Sequence, residues 1–139
     1  MKFRQSKPHS KRQRKPHSNK IDAERKGRRA ENIVAFLLRL KGYRILGQRV
    51  KTPKGEIDII AKRFKSLVFI EVKARRDYET GVLSVTQRQA KRIISAANYW
   101  RSAQENYNDC ACRFDIVIVN PYLSITHLKS AFDETGNVL

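Results

Sequence analysis

Cysteine is nearly absent from this chain: Cys110 and Cys112 are the only two among 139 residues. Their C-x-C spacing has no second pair to complete a zinc site. Positions i and i+2 of one strand also suit a disulfide poorly, so free thiols in a reducing compartment are expected. Long apolar runs are missing too, and nothing approaches the ~18 residues that span a bilayer. The N-terminus is basic but has no apolar core segment, so a secretory signal is not expected. These absences point to a cytoplasmic location and no membrane partner. Acidic residues are scarce as well: 13 Asp+Glu stand against 30 Lys+Arg, a formal charge of +17. Such an excess favours polyanionic partners and is silent on fold. At this length a single domain is expected.

Residues 1–20 read as a disordered basic tail, and residues 21–139 as the domain. The tail holds eight Lys/Arg, no Asp/Glu and the near-repeat Lys7-Pro8-His9-Ser10 and Lys15-Pro16-His17-Ser18. It has too little apolar surface to order itself. It carries +8 of the charge, which leaves +9 on the domain, so the basic character belongs to both. The tail reads either as a mobile arm tracking phosphates or as a solubilising extension. His9 and His17 are too isolated to ligate a metal.

What is present in strength is a pair of apolar, β-branched runs. Gly55-Glu56-Ile57-Asp58-Ile59-Ile60-Ala61 opens after the turn Thr52-Pro53-Lys54-Gly55. Leu67-Val68-Phe69-Ile70-Glu71-Val72-Lys73 follows a five-residue link, Lys62 to Ser66. This is a hairpin pattern. Asp58, Glu71 and Lys73 interrupt otherwise apolar strands. Residues i and i+2 of a strand share a face, ~6.8 Å apart, so Glu71 and Lys73 point the same way. Hairpin pairing can bring Asp58 beside Glu71. Burying such charges alone costs several kcal/mol each, so they should be paired, hydrated or bound to a cation. Two carboxylates make a hard-oxygen site suited to Mg²⁺. A lysine beside it can help generate a nucleophilic hydroxide or stabilise a phosphorane-like transition state.

Asp58 followed by Glu71-Val72-Lys73 resembles the Asp…(Asp/Glu)-x-Lys signature of restriction-endonuclease-like nucleases. Gly27-x-x-x-Glu31, Gly42-Tyr43, Gly55-Glu56-Ile57-Asp58, Phe69 to Lys73, Arg75 and Arg113-Phe114-Asp115 occur in order. That set resembles the YraN-like family of small bacterial proteins, predicted nucleases related to archaeal Holliday-junction resolvases, over about residues 24–132. The resemblance implies an α/β restriction-endonuclease-like core and phosphodiester hydrolysis by in-line attack with a 5′-phosphate product. It also implies Mg²⁺ or Mn²⁺ held by Asp58, Glu71 and the Val72 carbonyl. Lys73 would orient the attacking water, and Glu31 would assist from the first helix. Structured or branched DNA is the implied partner, and symmetric cutting of a junction would suit a homodimer. Two departures stand out. Ala30 precedes Glu31 where the family tends to have glycine, and Gln89 stands where it usually shows lysine. Any phosphate contact of that lysine must pass to Arg88 or Lys91.

The rest of the chain supplies the frame. A helix is expected from about Asp22 to Lys41, with Ala30, Ile33, Val34, Leu37, Leu38 and Leu40 as its apolar stripe and Gly42 as its stop. Glu31 flanks that stripe, and a helix ion pair with Arg28 is its alternative use. Tyr43 to Lys51 reads as a strand. Arg75 to Gly81 reads as a loop whose Arg75 and Arg76 lie at the mouth of the site and could grip a phosphate. A second helix runs from Thr86 to about Ala103, with Thr86-Gln87-Arg88-Gln89 as a capping box. Ala90, Ile93, Ile94, Ala97 and Trp100 form its apolar stripe. Trp100 and Tyr99 read as packing groups. Cys112 to Val119 is a strong strand and Leu123 to Leu128 a weaker edge strand. Asp115 is either a further site acid or a structural partner of Arg113 or a helix arginine. His127 is a lone strand histidine, more readily structural than functional.

The order α-β-β-β-α-β-β predicts an α/β domain with a mixed central sheet and helices packed on it. Arg28, Arg29, Arg75, Arg76, Arg88 and Lys91 are the candidate nucleic-acid contacts. Two rivals to the nuclease reading stay open. One is a non-catalytic DNA- or RNA-binding protein that keeps the fold. The other treats Asp58, Glu71 and Lys73 as a structural salt-bridge cluster.

Overall fold

The computed structural model describes residues 16–138. The basic stretch up to Lys15, including His9, lies outside the described residues. The first helix, α1, spans Pro16–Leu40. It begins six residues before the expected Asp22. Proline is well placed at a first helical position, where no N–H partner is needed, and the next glycine, Gly27, comes eleven residues later. Its end follows expectation. Gly42 takes φ 85°, and Tyr43 N–H donates to the Leu38 carbonyl at 2.9 Å, closing a Schellman-type cap. Ala30, Val34, Ala35 and Leu38 are buried, whereas Leu40 is 69% exposed and drops out of the expected stripe.

Among the described residues five strands follow: β1 (Arg44–Thr52), β2 (Gly55–Arg63), β3 (Ser66–Ala74), β4 (Ala111–Val119) and β5 (Ile125–Phe132). They form one sheet in the order β1-β2-β3-β4-β5. Only the β3–β4 pair is parallel. A parallel return needs a long crossover, and here it carries two helices, α2 (Tyr78–Leu83) and α3 (Gln87–Ser102). The sheet is therefore mixed with helices packed on it, as expected. The β1–β2 turn is tight because Thr52 pairs with Gly55. Thr52 Oγ1 accepts Gly55 N–H at 3.1 Å, and Gly55 sits at φ 153° with the Arg92 carbonyl 3.5 Å from where a Cβ would stand. Both the dihedral and the close approach of α3 favour glycine.

Three further segments differ from expectation. The β2–β3 link is two residues, Phe64 and Lys65, because Arg63 pairs with Ser66. The last strand runs on to Phe132 and is ordered by pairing with β4 across a bulge. The segment read as a loop holds α2, capped by Asp77, whose side chain accepts Thr80 N–H at 2.8 Å. Gly81, the last residue of the expected loop, sits where α2 meets β4. A Cβ there would come within 2.6 Å of Ile118.

The sheet has a core on each face. One face packs Ile60, Leu67, Phe69, Phe114, Ile116 and Ile118 against α3 residues Ala90, Ile93, Ile94, Ala96 and Ala97. Trp100 joins it, edge-on to Phe69 and stacked on Tyr107, which confirms its packing role. The other face packs Ile59, Ala61, Val68, Ile70 and Val117 against α1. β4, covered on both faces, is accordingly almost continuously apolar. Among the described residues no helix is long and apolar enough to cross a membrane. Cys110 and Cys112 are free and half-buried.

Candidate active site

The site is built where the β2–β3 ladder stops. Pairing runs from Arg63↔Ser66 to Ile59↔Ile70 and goes no further. Continued in register, the Val72 N–H would meet residue 57 of β2. It donates instead to Asp58 Oδ2 at 2.8 Å. The pleat slips at the same point. Ile57 packs in the α3-side core and Ile59 in the α1-side core, although residues two apart on a regular strand share a face. The strands part, and a carboxyl fills the gap.

Glu71 and Lys73 share the α3-side face, as the i, i+2 spacing requires. Lys73 Nζ lies 3.0 Å from Glu71 Oε1, and both side chains are nearly buried. Gln89 closes the group. Its Nε2 donates to Glu71 Oε1 at 2.7 Å, and its Oε1 accepts from Lys73 at 3.2 Å. Thr86 caps α3 by accepting Gln89 N–H at 3.1 Å. The expected capping box is only half made, because the Gln89 side chain is drawn to Glu71 and Lys73 instead of back to Thr86.

The electrostatics are unfavourable for two ionised acids. Burial, and then the charge of Asp58, push the Glu71 carboxyl up to about 7, with Lys73 opposing. Burial also raises Asp58, against the Val72 N–H that stabilises its anion. Glu31 is raised as well, first by burial and then by the Asp58 charge. Its close partner is not Arg28 but Arg49. Arg49 Nε lies 2.8 Å from Glu31 Oε2, too poorly aligned for a hydrogen bond, so among the described residues these two buried atoms lack a hydrogen-bonding partner. Arg49 sits at φ 52° in β1. Its neighbours pair as Gln48↔Ile59 and Val50↔Ile57, which sets Arg49 opposite Asp58. Thus Glu31, Asp58, Glu71 and Lys73 are brought together, with Arg49 and Gln89 added. Arg49 was legible in principle: a two-residue turn between Thr52 and Gly55 already sets residue 49 across from residue 58.

The donor set fits a hard divalent cation. Glu71, buried and with its carboxyl pushed up to about 7, and half-buried Asp58, raised by burial, repel each other and would be relieved by a cation shared between them. Among the described residues no three His, Cys, Asp or Glu side chains form a ready cage. A cation at Asp58 and Glu71 would thus rely on a main-chain oxygen and waters, the usual habit of Mg²⁺.

The candidate contact residues separate into two groups. Arg29, Arg75 and Arg76, with Lys26, line a cleft of about 560 Å³ between α1, α2 and the ends of β3 and β4. Arg28 is exposed on α1 near them. Arg88 and Lys91 are exposed on α3, which packs on the other face of the sheet.

Asp115 does not join the site. It lies on the α1 side of β4, in alternation with Val117 and Val119. Its oxygens accept from Arg113 Nε at 2.8 Å, Arg113 Nη2 at 2.9 Å and Ser130 N–H at 3.0 Å. His127 Nε2 is 2.7 Å from Oδ2. An ionised carboxylate only accepts, so that nitrogen carries the proton. Burial would raise the Asp115 carboxyl, but these hydrogen bonds outweigh it and hold the group below the usual range. Arg113 Nη2 also donates to Tyr43 Oη at 3.0 Å. The structural use of Asp115 and His127 is the one observed.

The family model described as uncharacterised protein family UPF0102 matches residues 30–119. A UPF0102 protein of Rhodopseudomonas palustris (strain HaA2) is 44% identical over 118 residues, covering 85% of this chain and 92% of that protein. One from Bradyrhizobium sp. (strain ORS 278) is 44% identical over 114 residues, 82% of this chain and 81% of its own length. One from Mesorhizobium japonicum is 42% identical over 118 residues, 85% and 94% respectively. The matched span includes Glu31, Asp58, Glu71, Lys73 and Asp115.

Proposed function

We propose that this chain, which belongs to the uncharacterised protein family UPF0102, is a metal-dependent nuclease that hydrolyses phosphodiester bonds in structured or branched DNA. One observation carries the reading. A buried carboxyl, Glu71, and a half-buried carboxyl and lysine, Asp58 and Lys73, converge where the β2–β3 ladder is broken, and both carboxyls are raised in a way that a cation would relieve. Asp58, Glu71 and the Val72 carbonyl would hold Mg²⁺ or Mn²⁺. Such an ion supplies Lewis acidity and lowers the pKa of bound water. Lys73 is held by Glu71 and Gln89, and its remaining N–H would hydrogen-bond the attacking water or a phosphate oxygen. Glu31 borders the site through its electrostatic contact with Asp58. In-line attack forms a P–O bond to water and breaks the P–O3′ bond, leaving a 5′-phosphate. Arg28, Arg29, Arg75, Arg76, Arg88 and Lys91 would position the backbone without reading sequence.

The test is a panel of labelled duplex, single-stranded, flap and four-way-junction DNAs and RNAs with Mg²⁺ or Mn²⁺. Cleavage is expected on at least one structured substrate and is lost in Glu71→Ala and Lys73→Ala, which keep most of their affinity. Parallel loss of binding and cleavage would assign these residues to the fold or to binding.

One observation favours a non-catalytic nucleic-acid-binding protein. Glu71, Lys73 and Gln89 form a closed ring of contacts that pairs the lysine without any metal. That reading predicts tight binding with no turnover in any metal.

A further inference from the structure

The cleft between α1 and the ends of β3 and β4 has an apolar floor and a cationic rim. Ile33, Val119 and Leu123 are among its apolar lining. Lys26, Arg29, Arg75 and Arg76 supply four cations, and none makes a salt bridge within the described residues. Asp77 is the one acid in the lining, and its Oδ1 is committed to capping α2, accepting Thr80 N–H at 2.8 Å and Thr80 Oγ1–H at 2.7 Å. Asn120 also lines the cleft. Its Oδ1 accepts from the N–H groups of Tyr122 and Ser124, which leaves its NH₂ as a free donor. At about 560 Å³ the volume falls within the roughly 300–1,000 Å³ of small-molecule sites. The ligand chemistry is that of a nucleotide: a flat, partly apolar base with polar edges, joined to phosphate.

The cleft adjoins the acid–lysine site along the chain in two places. Ala74 and Arg75 directly follow Lys73, and Ala30 directly precedes Glu31. Successive strand residues point to opposite faces, so the chain that aims Lys73 toward α3 aims Ala74 into the cleft. Arg75 is the first residue past the end of β3, so the cleft begins where the strand that carries Lys73 ends.

We propose that this cleft binds one unpaired nucleotide of the substrate strand next to the scissile phosphate, its base on the apolar floor and its phosphate on the cationic rim. The proposal rests on the nuclease reading and narrows its substrate to strands with an unstacked base. A paired base has its faces covered by neighbours and its edge by its complement. Only an unstacked base can lend a face to Ile33, Val119 and Leu123.

Two duplexes with the same number of base pairs test this, one fully paired with an internal 2-aminopurine and one carrying 2-aminopurine as a single bulged nucleotide. Both are titrated without divalent cation. The bulged duplex should bind roughly tenfold tighter, the size of one buried apolar group, with a change in 2-aminopurine fluorescence. Leu123→Asn should abolish that preference and leave affinity for the paired duplex unchanged. Leu123 sits at φ 60°, a conformation asparagine adopts more readily, so the variant keeps its fold. Arg76→Ala should weaken both duplexes. Equal affinity for the two duplexes, or a preference that survives Leu123→Asn, overturns the proposal. Displacement of the bulged probe by micromolar free mononucleotide would reassign the cleft to a soluble ligand and overturn it too. Adding Mg²⁺ to the same mixtures reads the nuclease activity separately. Cleavage without the preference removes the cleft assignment alone. Preference without cleavage removes the nuclease reading and keeps the cleft.

Discussion

Glu71 and Asp115 are buried carboxyls on neighbouring strands of one sheet, and their surroundings drive them in opposite directions. Asp115 receives four hydrogen bonds, two of them from one guanidinium, and its carboxyl is held below the usual range despite burial. Glu71 has a lysine and an amide on one oxygen and a second carboxyl beside it, and its pKa is pushed up to about 7. The first cluster is closed and satisfied, so it acts as a rivet between β4, β5 and Tyr43. The second has spare acceptor capacity and unresolved repulsion. Strongly perturbed acids of that kind cluster at functional sites, whereas satisfied ones serve structure. Burial is common to both, and the partners decide the difference.

The sharpest way to break the comparison is to remove each acid in turn. Asp115→Ala should cost about 3–5 kcal/mol of stability, because it leaves Arg113 and the Ser130 N–H without their acceptor. Urea unfolding would measure it. A cost under about 1 kcal/mol would mean the network is incidental. Glu71→Gln should do the reverse at pH 8: it removes a strained ionised acid and should match or exceed the parent by on the order of 1–3 kcal/mol.

Metal should separate the two clusters next. Saturating Mg²⁺, at about a hundred times its Kd, should stabilise the parent by about 2.7 kcal/mol and leave Glu71→Gln unmoved. No shift in the parent would favour the structural or purely binding readings.

The pH profile gives a smaller contrast of opposite sign. Glu71 has its folded pKa raised from 4.5 to about 7. Its contribution to stability is therefore full below about 4.5 and is lost as pH rises to about 7. Asp115 is lowered from 3.8, so its contribution is full above that value and is lost as pH falls below it. Melting of the parent against the Glu71→Gln and Asp115→Asn variants, from pH 3 to 8, separates the two. The smallest effect is expected on the exposed face of α1. Arg28→Ala should leave stability within about 0.5 kcal/mol and lower the salt slope of duplex binding by about 0.9.

Much of this was readable in advance because the signals are local. Alternation and β-branching marked β2 and β3, and the pleat alone put Glu71 and Lys73 on one face. Gly42 ended α1 as expected. Other features were hidden for physical reasons. Arg75 to Gly81 looked like a loop, because a residue lacking a side chain does not say whether it marks a bend or a close approach such as that of Gly81 to Ile118. Gln89 looked like a capping residue because the pull of Glu71, eighteen positions away, cannot be read from its neighbours. Arg49 was passed over because its strand has no interrupted apolar run to draw attention, although hairpin register placed it across from Asp58.

By itself, then, the sequence determined the elements other than α2, the shared face of Glu71 and Lys73, the excess of positive charge and the family likeness. These depend on contacts within a few residues or on simple counts. Only the tertiary structure decided which carboxyls are strained and which are satisfied. A charge in a protein takes its energy from burial and from partners brought in by other elements: Asp58 from across a broken ladder, Gln89 from α3, Arg49 from β1, and His127 and Ser130 from β5.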